Sequence, residues 1–537
     1  MKNIAIIGGG AGGLVSCKSV LEIEGNNYIP TVFEKEPNLG GIWVTKNTKV
    51  WNSLKTTISK LSCVFSDFPF EDDEETKDEF FLTQPQLYKY LYQYALHFDL
   101  IKYIQFNSNV VKVLKEGNDK WKIQWTDTTD QSATPVLKER VFDQVIICSG
   151  INNKPAKFDK DELLEAFTGK LIHSKDYKSP ESYKNKRVLV VGNSESSTHI
   201  CTDLTNHAHS VHQLIRGQKD KWVINRDVTL TLNNGAQVKM PIDFVFYIRN
   251  QNYENLSLTN TEYNKFLNKS FQKLSKNNHE CEQLQFKKSF EMPPYSIITC
   301  DEYISNIKSG KIQILKGYSL SDCKGKVITL ESNSPDENGN RYFKNEYLKS
   351  LEFDDIILCN GYNLDLSFLD TEILQDIEFI PDDYNQPCIL YRGVFPKNLK
   401  NIAFVGLINT PYYTTLELMA RFACLVFSGK KQLAAKDEFD INLKEQYEIR
   451  YNSIKNQHFS FVDHVIHSDQ LAKEIGCLPD FDEIKKTNTE LYEMLWNGLF
   501  CNACYRLVGE NSKPSLSKKT LNYYYMIYKK ITVNEKY

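Results

Sequence analysis

The fold is decided by residues 2–13, Lys2-Asn3-Ile4-Ala5-Ile6-Ile7-Gly8-Gly9-Gly10-Ala11-Gly12-Gly13. The apolar run Ile4 to Ile7 suits a short parallel strand buried on both faces. A glycine loop follows at once, and a helix-compatible stretch continues to about Ile23. Gly8, Gly10 and Gly13 have dinucleotide-loop spacing. The first permits a tight turn, the second lets backbone approach a pyrophosphate, and the third lets helix pack on strand. Gly9, Ala11 and Gly12 complete a loop whose amides would face that anion at the helix N-terminus. The next apolar run, Thr31-Val32-Phe33, ends at Glu34, about twenty residues on, where a carboxylate can bind ribose hydroxyls. A glycine pattern alone is weak; strand, loop, helix, strand and acid in this order are specific.

The same order recurs in mid-chain. Arg187-Val188-Leu189-Val190-Val191 is a buried strand, Gly192-Asn193-Ser194-Glu195-Ser196-Ser197 a turn, and Thr198 to Asn206 a helix. Ser194 and Ser197 replace two of the three glycines, so the backbone should stand slightly further from a pyrophosphate. The following strand, Ser210 to Ile215, ends in Arg216 rather than an acid. An acid suits an unmodified ribose and an arginine suits a 2′-phosphate. The first loop therefore reads as an FAD site and the second as an NADPH site. Lys219 and Lys221 could assist with the phosphate or be an ordinary charged loop.

Two such loops in one chain imply hydride transfer from nicotinamide to flavin. A dithiol reductase would need a cysteine pair beside the flavin, yet Glu34 to Trp43 contains no cysteine and Cys63 is solitary. Cys501 and Cys504, with His464 and His467, resemble a zinc set only weakly, and buried thiols are the better reading. The length of 537 residues allows roughly two to four domains. The net charge of -3, from 65 basic and 68 acidic residues, gives no overall pull towards nucleic acid or anionic lipid. No apolar run reaches the length of an integral membrane segment. Nothing in the opening residues reads as a secretory leader, and the scattered cysteines fit reduced thiols, so a cytoplasmic location is the expectation.

Further segments carry a family resemblance. They are Leu39-Gly40-Gly41-Ile42-Trp43, Phe65 to Phe70, Phe167-Thr168-Gly169-Lys170-Leu171-Ile172-His173-Ser174-Lys175-Asp176-Tyr177, and Trp222 to Arg226. Later come Phe353 to Tyr362, Phe404 to Ile408, Leu416 to Arg421, and Tyr505 to Gly509. In this order they resemble the flavin-containing monooxygenases over most of the chain. Tyr177 resembles the N- and S-oxidising branch more than the Baeyer–Villiger branch, which carries Trp-Pro there. The resemblance implies an α/β protein of two Rossmann-like domains, FAD and NADP, with the second inserted in the first. Phe142 to Gly150 and Phe353 to Tyr362 are near-duplicates that would serve as the hinges. The expected boundaries are 1–168 and 363–537 for the FAD domain and 169–362 for the NADP domain, with an insertion at about 227–295.

The resemblance also implies the chemistry. NADPH reduces FAD, O2 forms a flavin hydroperoxide, and an amine nitrogen or sulfide sulfur takes the distal oxygen. No acid–base dyad is needed, because the electrophile belongs to the cofactor. Lys35, Gly41, Ile42, Trp43, Thr56, Ile58, Val111 and Gly361 join the two loops as expected cofactor contacts. The segment Trp51-Asn52-Ser53-Leu54-Lys55-Thr56-Thr57-Ile58-Ser59-Lys60 matches the family's active-site segment. It carries Thr57 where the family usually has asparagine. A hydroxyl lacks the two amide donors and the carbonyl of that side chain, so more reducing power should leak to peroxide. Asn52 could substitute from the preceding turn, or merely cap it. His173 reads as structural or as lining the cofactor junction. His199 stands where the family often has aspartate, and no role follows for it. Ketone oxygenation and an NADPH oxidase releasing hydrogen peroxide are the alternatives. The substrate and the oligomeric state are not readable; a homodimer is one option.

Overall fold

The computed structural model describes residues 1–23, 25, 27–44, 49–117, 119–132, 135–216, 221–231, 235, 237–275, 280–281, 284–285, 289–291, 297–332, 348–383, 386–407, 413–456 and 464–532. Lys219 and Ile408 therefore lie outside the described residues.

The Ile4–Ile7 run forms a strand, Lys2–Ile7, at the centre of a five-stranded sheet. Its spatial order is Ile402–Phe404, Gln144–Ile147, Lys2–Ile7, Tyr28–Phe33 and Ile104–Gln105, all parallel. Side chains alternate across it. Ile4 and Ile6 face the helices Ala11–Leu21 and Tyr413–Phe427. Ala5 and Ile7 face the other way, onto Trp121, Ile123 and Trp125. Those three belong to the middle strand of an antiparallel three-stranded sheet, Ser108–Glu116, Lys120–Asp127 and Lys138–Phe142. The result is a layer of helices, a parallel sheet and an antiparallel sheet.

The second unit repeats this plan. Its five strands, in the order Ile312–Lys316, Ser210–Ile215, Arg187–Val191, Asp355–Leu358 and Lys170–His173, are again parallel. Val188 and Val190 pack on Ile200 and Leu204 of the helix Glu195–Leu204. Leu189 and Val191 pack on Leu320, Ile328 and Leu330 of the sheet Tyr318–Lys324, Val327–Ser332 and Leu348–Glu352. Burying each such aliphatic side chain contributes about 1.5–3 kcal/mol, which explains the uninterrupted apolar runs. These are two Rossmann-like units, with the second inserted in the first.

The chain crosses between them twice, and the crossings are joined. Lys154–Pro155 pairs antiparallel with Tyr362–Asn363. Asn360 donates to the Ala156 carbonyl at 2.6 Å, and Asn153 and Asp365 exchange two hydrogen bonds, at 2.6 and 2.9 Å. His173 pins the same place. Its Nδ1 accepts from the Lys175 amide at 3.1 Å, so its Nε2 carries the proton and donates to the Gly361 carbonyl at 3.1 Å. Burial holds its pKa below the usual histidine value. The stretch after Arg226 opens with an unforeseen hairpin, Asp227–Thr231 with Gln237–Pro241, followed by helices that include Asn260–Leu274.

Candidate functional site

The glycine loop turns sharply out of the first strand. Gly8 has φ +111°, and a Cβ there would lie 2.5 Å from the Cys148 carbonyl oxygen. Gly192 repeats this relation in the second unit, with φ +147° and a Cβ position 2.6 Å from the Cys359 carbonyl oxygen. The near-duplicate stretches 142–150 and 353–362 thus do the same work twice: each carries, just after its strand, a cysteine whose carbonyl admits only a glycine at the adjacent loop.

The first loop fits a dinucleotide. The helix Ala11–Leu21 begins at Gly10 without a side-chain cap and without an acid in its first turn, which leaves its first amides for an anion. The Gly40–Trp43 turn closes over it. Gly40 donates to the Gly9 carbonyl at 2.9 Å, and a Cβ on Gly41 would come within 3.0 Å of Gly10 Cα. Such glycine-to-glycine contact leaves backbone, not side chain, to line the cradle. Glu34 Oε2 accepts from the Gly9 amide at 2.6 Å, and Oε1 accepts from the Glu36 amide at 2.9 Å. Burial raises its pKa against these two donors. Lone pairs remain on both oxygens for two ribose hydroxyls. The Ser149 hydroxyl, next to Cys148, is shut from solvent with no partner among the described residues. The fit to an FAD is good. Lys35 is exposed, Ile42 half-exposed and Trp43 partly buried beside this loop, and Val111 occupies the bulge of its strand between Val110 and Lys112.

The second loop is less open. Ser194 and Ser197 form a reciprocal capping box, in which the Ser194 amide donates to Ser197 Oγ at 2.9 Å. Ser197 is fully buried and also takes a bond from Gln213 at 3.3 Å. Glu195 puts a carboxylate in the first turn, but its side chain is occupied. Oε1 accepts from the Thr299 amide at 2.8 Å and Oε2 from His199 Nε2 at 3.1 Å. The amides of Glu195 and Ser196 are left for an anion. Asn193 lines a small crevice with Lys221 and Lys316, two cations beside the loop, of which Lys316 had no sequence signal. Arg216 ends its strand as expected, but it is ion-paired with Asp159.

The segment Trp51–Lys60 lies between the two units and is tied to both. Thr56 exchanges hydrogen bonds with Leu82, at 2.8 and 3.1 Å. Arg226 Nε donates to the Thr56 carbonyl at 2.9 Å, while its Nη1 pairs with Asp301 at 2.8 Å. Asp243, buried in the insertion, accepts from the Ser59 amide at 3.1 Å and from the Ser59 and Ser62 hydroxyls at 2.6 and 2.7 Å. Burial raises the Asp243 pKa, opposed by those donors. Ile58 is buried between these anchors. Thr57 is partly buried, and its hydroxyl has no partner among the described residues. Asn52 is exposed in the preceding turn. Tyr177 is wholly buried against Trp51, with ring centroids 5.4 Å apart, and donates to Asp203 at 2.6 Å. Arg226, Asp203 and Asp243 are the residues that sequence reasoning missed. Arg226 and Asp203 stood inside quoted segments, but nothing in the spacing reveals contacts across such separations.

Three segments that were recognisable but unexplained meet at one buried ion cluster. Asp67 pairs with Lys18 of the first dinucleotide helix and with Arg506. Arg506 also bonds Glu417, at 2.9 Å, and Glu417 accepts from the Ser66 amide at 2.8 Å. Burial pushes the Asp67 pKa up, but Lys18 and Arg506 prevail and hold it at about 2. Cys504 is buried and accepts a long bond from Arg249, at 3.5 Å. No group of metal-ligating side chains is found among the described residues.

The chain matches the model of the flavin-binding monooxygenase-like family over residues 1–535. It is 28% identical to flavin-containing monooxygenase 3 of Macaca mulatta, covering 96% of this chain and 90% of that one. It is 27% identical to dimethylaniline monooxygenase (N-oxide-forming) 2 of Rattus norvegicus, covering 95% and 89%. Among solved structures, S-allyl-L-cysteine S-oxygenase from Allium sativum matches with a TM-score of 0.58 at 20% identity, over 92% of this chain and 95% of that one. Cyclohexanone monooxygenase in a closed form matches at 0.58 and 13% identity, over 88% and 97%, and these two show the shared fold. The chain belongs to the flavin-binding monooxygenase-like family. It is an FAD-dependent monooxygenase of the class whose cofactors are FAD and NADPH.

Proposed function

We propose that this family member uses NADPH and O2 to place one oxygen atom on a soft nucleophile, an amine nitrogen or a sulfide sulfur. The balance is NADPH, H+, O2 and substrate giving NADP+, water and the oxygenated product. The carrying observation is the similarity, over nearly the whole chain, to relatives named for N-oxide formation. The glycine cradle of the first unit, with Glu34, is the FAD site, and the loop Gly192 to Ser197 with Arg216 is the NADPH site. When bound, the flavin supplies the oxygen-activating chemistry; the protein orients, shields and hydrogen-bonds. Glu34 holds ribose, amides of Ala11 to Gly13 hold pyrophosphate, and Thr56 to Ile58 are presented at the cofactor junction. The domain division 1–168, 169–362 and 363–537 belongs to the same reading.

The test is to reduce the FAD-loaded protein with NADPH or NADH and supply O2 with a tertiary amine, a thioether or a cyclic ketone. N-oxide and sulfoxide with a preference for NADPH support the proposal; lactone alone would transfer it to the Baeyer–Villiger class. One observation favours a second activity. Thr57 offers a single hydroxyl where two amide donors are usual, so release of hydrogen peroxide accompanies turnover.

A further inference from the structure

Glu195, His199 and Asp203 recur every four residues on the Glu195–Leu204 helix and so lie on one face. Each end of that stripe is engaged. Asp203 accepts from Ser53 at 3.0 Å and from Tyr177, which packs on Trp51. His199 Nδ1 faces Arg226 Nη2 at 3.5 Å. Arg226 can only donate, so this contact is a hydrogen bond when Nδ1 is unprotonated and Nε2 donates to Glu195. Burial lowers the His199 pKa, but Cys300 and Glu195 outweigh it and raise it to about 9. Arg226 in turn grips the Thr56 carbonyl and reaches the Lys55 carbonyl at 3.5 Å. One helix therefore touches the segment around Thr57 at Ser53 directly and at Lys55 and Thr56 through Arg226. The N-terminus of this helix is the second nucleotide loop.

We propose that the Glu195–Leu204 helix couples the two sites: occupancy of the loop at its N-terminus sets the position of the Trp51–Ser59 segment, with His199 and Arg226 as positioning residues. The inference rests on the NADPH reading of that loop. A phosphate arriving at the Glu195 and Ser196 amides lies beside the Glu195 carboxylate. Repulsion drives that carboxylate towards its existing partners, Thr299 and His199, and tightens the chain to Arg226. A packed helix transmits the shift as a unit, because its ladder of backbone bonds is stiff along the axis.

The probe is 2′,5′-ADP, which carries both phosphates of the adenosine half but has no nicotinamide to touch the flavin. Its binding to the FAD-loaded protein is measured by calorimetry, and the flavin absorbance is followed in the same titration. Wild type should bind it and show a saturating flavin change with the same dissociation constant. In His199→Leu, binding should stay within about threefold while the flavin change falls at least fivefold, as expected when coupling and not affinity is lost. His199→Gln, which keeps a donor and an acceptor, should restore part of it. Should His199→Leu lose FAD, Asp203→Asn tests the Ser53 contact and should also shrink the response. Binding to wild type without any flavin change would overturn the proposal, as would an undiminished response in these variants. No binding at all would instead remove the NADPH reading, and the coupling with it.

Discussion

Arg216 is ion-paired with Asp159, and its guanidinium lies 4.6 Å from the Phe158 ring centroid. The residue expected to hold a 2′-phosphate is thus held by a carboxylate from the neighbouring loop. Asp159 is mostly exposed, with 68% of its side-chain surface accessible, so the pair is an ordinary surface pair of about 0–1 kcal/mol. Asp159→Ala should remove this competing carboxylate and raise the NADPH-over-NADH ratio of kcat/KM by up to about fivefold. Arg216→Ala should lower it. Equal ratios in both variants and wild type would remove Arg216 from the site.

Gly8 offers the sharpest test of the FAD cradle. Its φ of +111° and the Cys148 carbonyl 2.5 Å from a Cβ leave no room for alanine. Gly8→Ala should purify with less than about a tenth of wild-type FAD, since both the strained backbone and the clash fall at the proposed pyrophosphate cradle. Gly117→Ala, which meets nothing within 4 Å, is the control. Full flavin content in Gly8→Ala would contradict the placement.

How much of this was legible follows from how local each signal is. The Gly8 loop, Glu34 and the mid-chain repeat were readable because their spacing is imposed by one strand-turn-helix unit. The duplicate stretches around Cys148 and Cys359 were readable as the places where the chain leaves one unit for the other, but not as the walls that make Gly8 and Gly192 obligatory. That relation joins residues 140 or more positions apart. Arg226, Asp203 and Asp243 were invisible as functional residues for the same reason. A lone arginine or aspartate has many uses, and only the fold shows that all three converge on Trp51–Ser62. The capping box of Ser194 and Ser197 was readable as lost glycines, not as two hydroxyls bonding each other's backbone.

Thr57 has neighbours fixed on both sides, by Arg226 at Thr56 and by Asp243 at Ser59, so a substitution there should leave the segment in place. Thr57→Asn should lower the share of NADPH oxidised that appears as hydrogen peroxide by several-fold, consistent with about 1–2 kcal/mol from a restored donor. The check is peroxide released per NADPH consumed, with a thioether present. An unchanged or higher ratio would sink the idea.

The cluster of Lys18, Asp67, Glu417 and Arg506 gives a stability prediction. Arg506 is 1% exposed and faces three carboxylates, Glu417, Asp67 and Glu22, at 2.9, 3.2 and 3.5 Å. Arg506→Met should cost about 3–5 kcal/mol in denaturant unfolding, because buried Glu417 would keep no cation closer than Arg421, at 4.0 Å, while Asp67 retains Lys18. Adding Glu417→Gln should recover part of the loss. A cost below about 1 kcal/mol would show that water reaches the cluster.

One buried and one partly buried histidine, His464 and His467, contribute to the acid limb of stability. Burial, with His467 nearby, depresses His464 to about 3. Burial, with Arg392 nearby, depresses His467 to about 4. The unfolded chain takes these protons near pH 6.5 and the folded chain does not. Their contribution is therefore flat above about pH 6.5 and falls below it, by up to about 1.4 kcal/mol per unit for each group. The His467 Nε2 has no partner among the described residues. His467→Phe should reduce the slope between about pH 6 and pH 5 by roughly 1 kcal/mol per unit. An unaltered slope would mean that this ring is already protonated when folded.

The central claim is that one atom of O2 reaches a soft nucleophile at the expense of NADPH. It is tested most directly by turnover of the FAD-loaded protein with NADPH, a thioether and isotopically heavy dioxygen, with mass analysis of the product. The account predicts sulfoxide carrying one heavy oxygen, together with some hydrogen peroxide. NADPH consumption that yields peroxide alone, with the thioether and a tertiary amine both recovered unchanged, would contradict it.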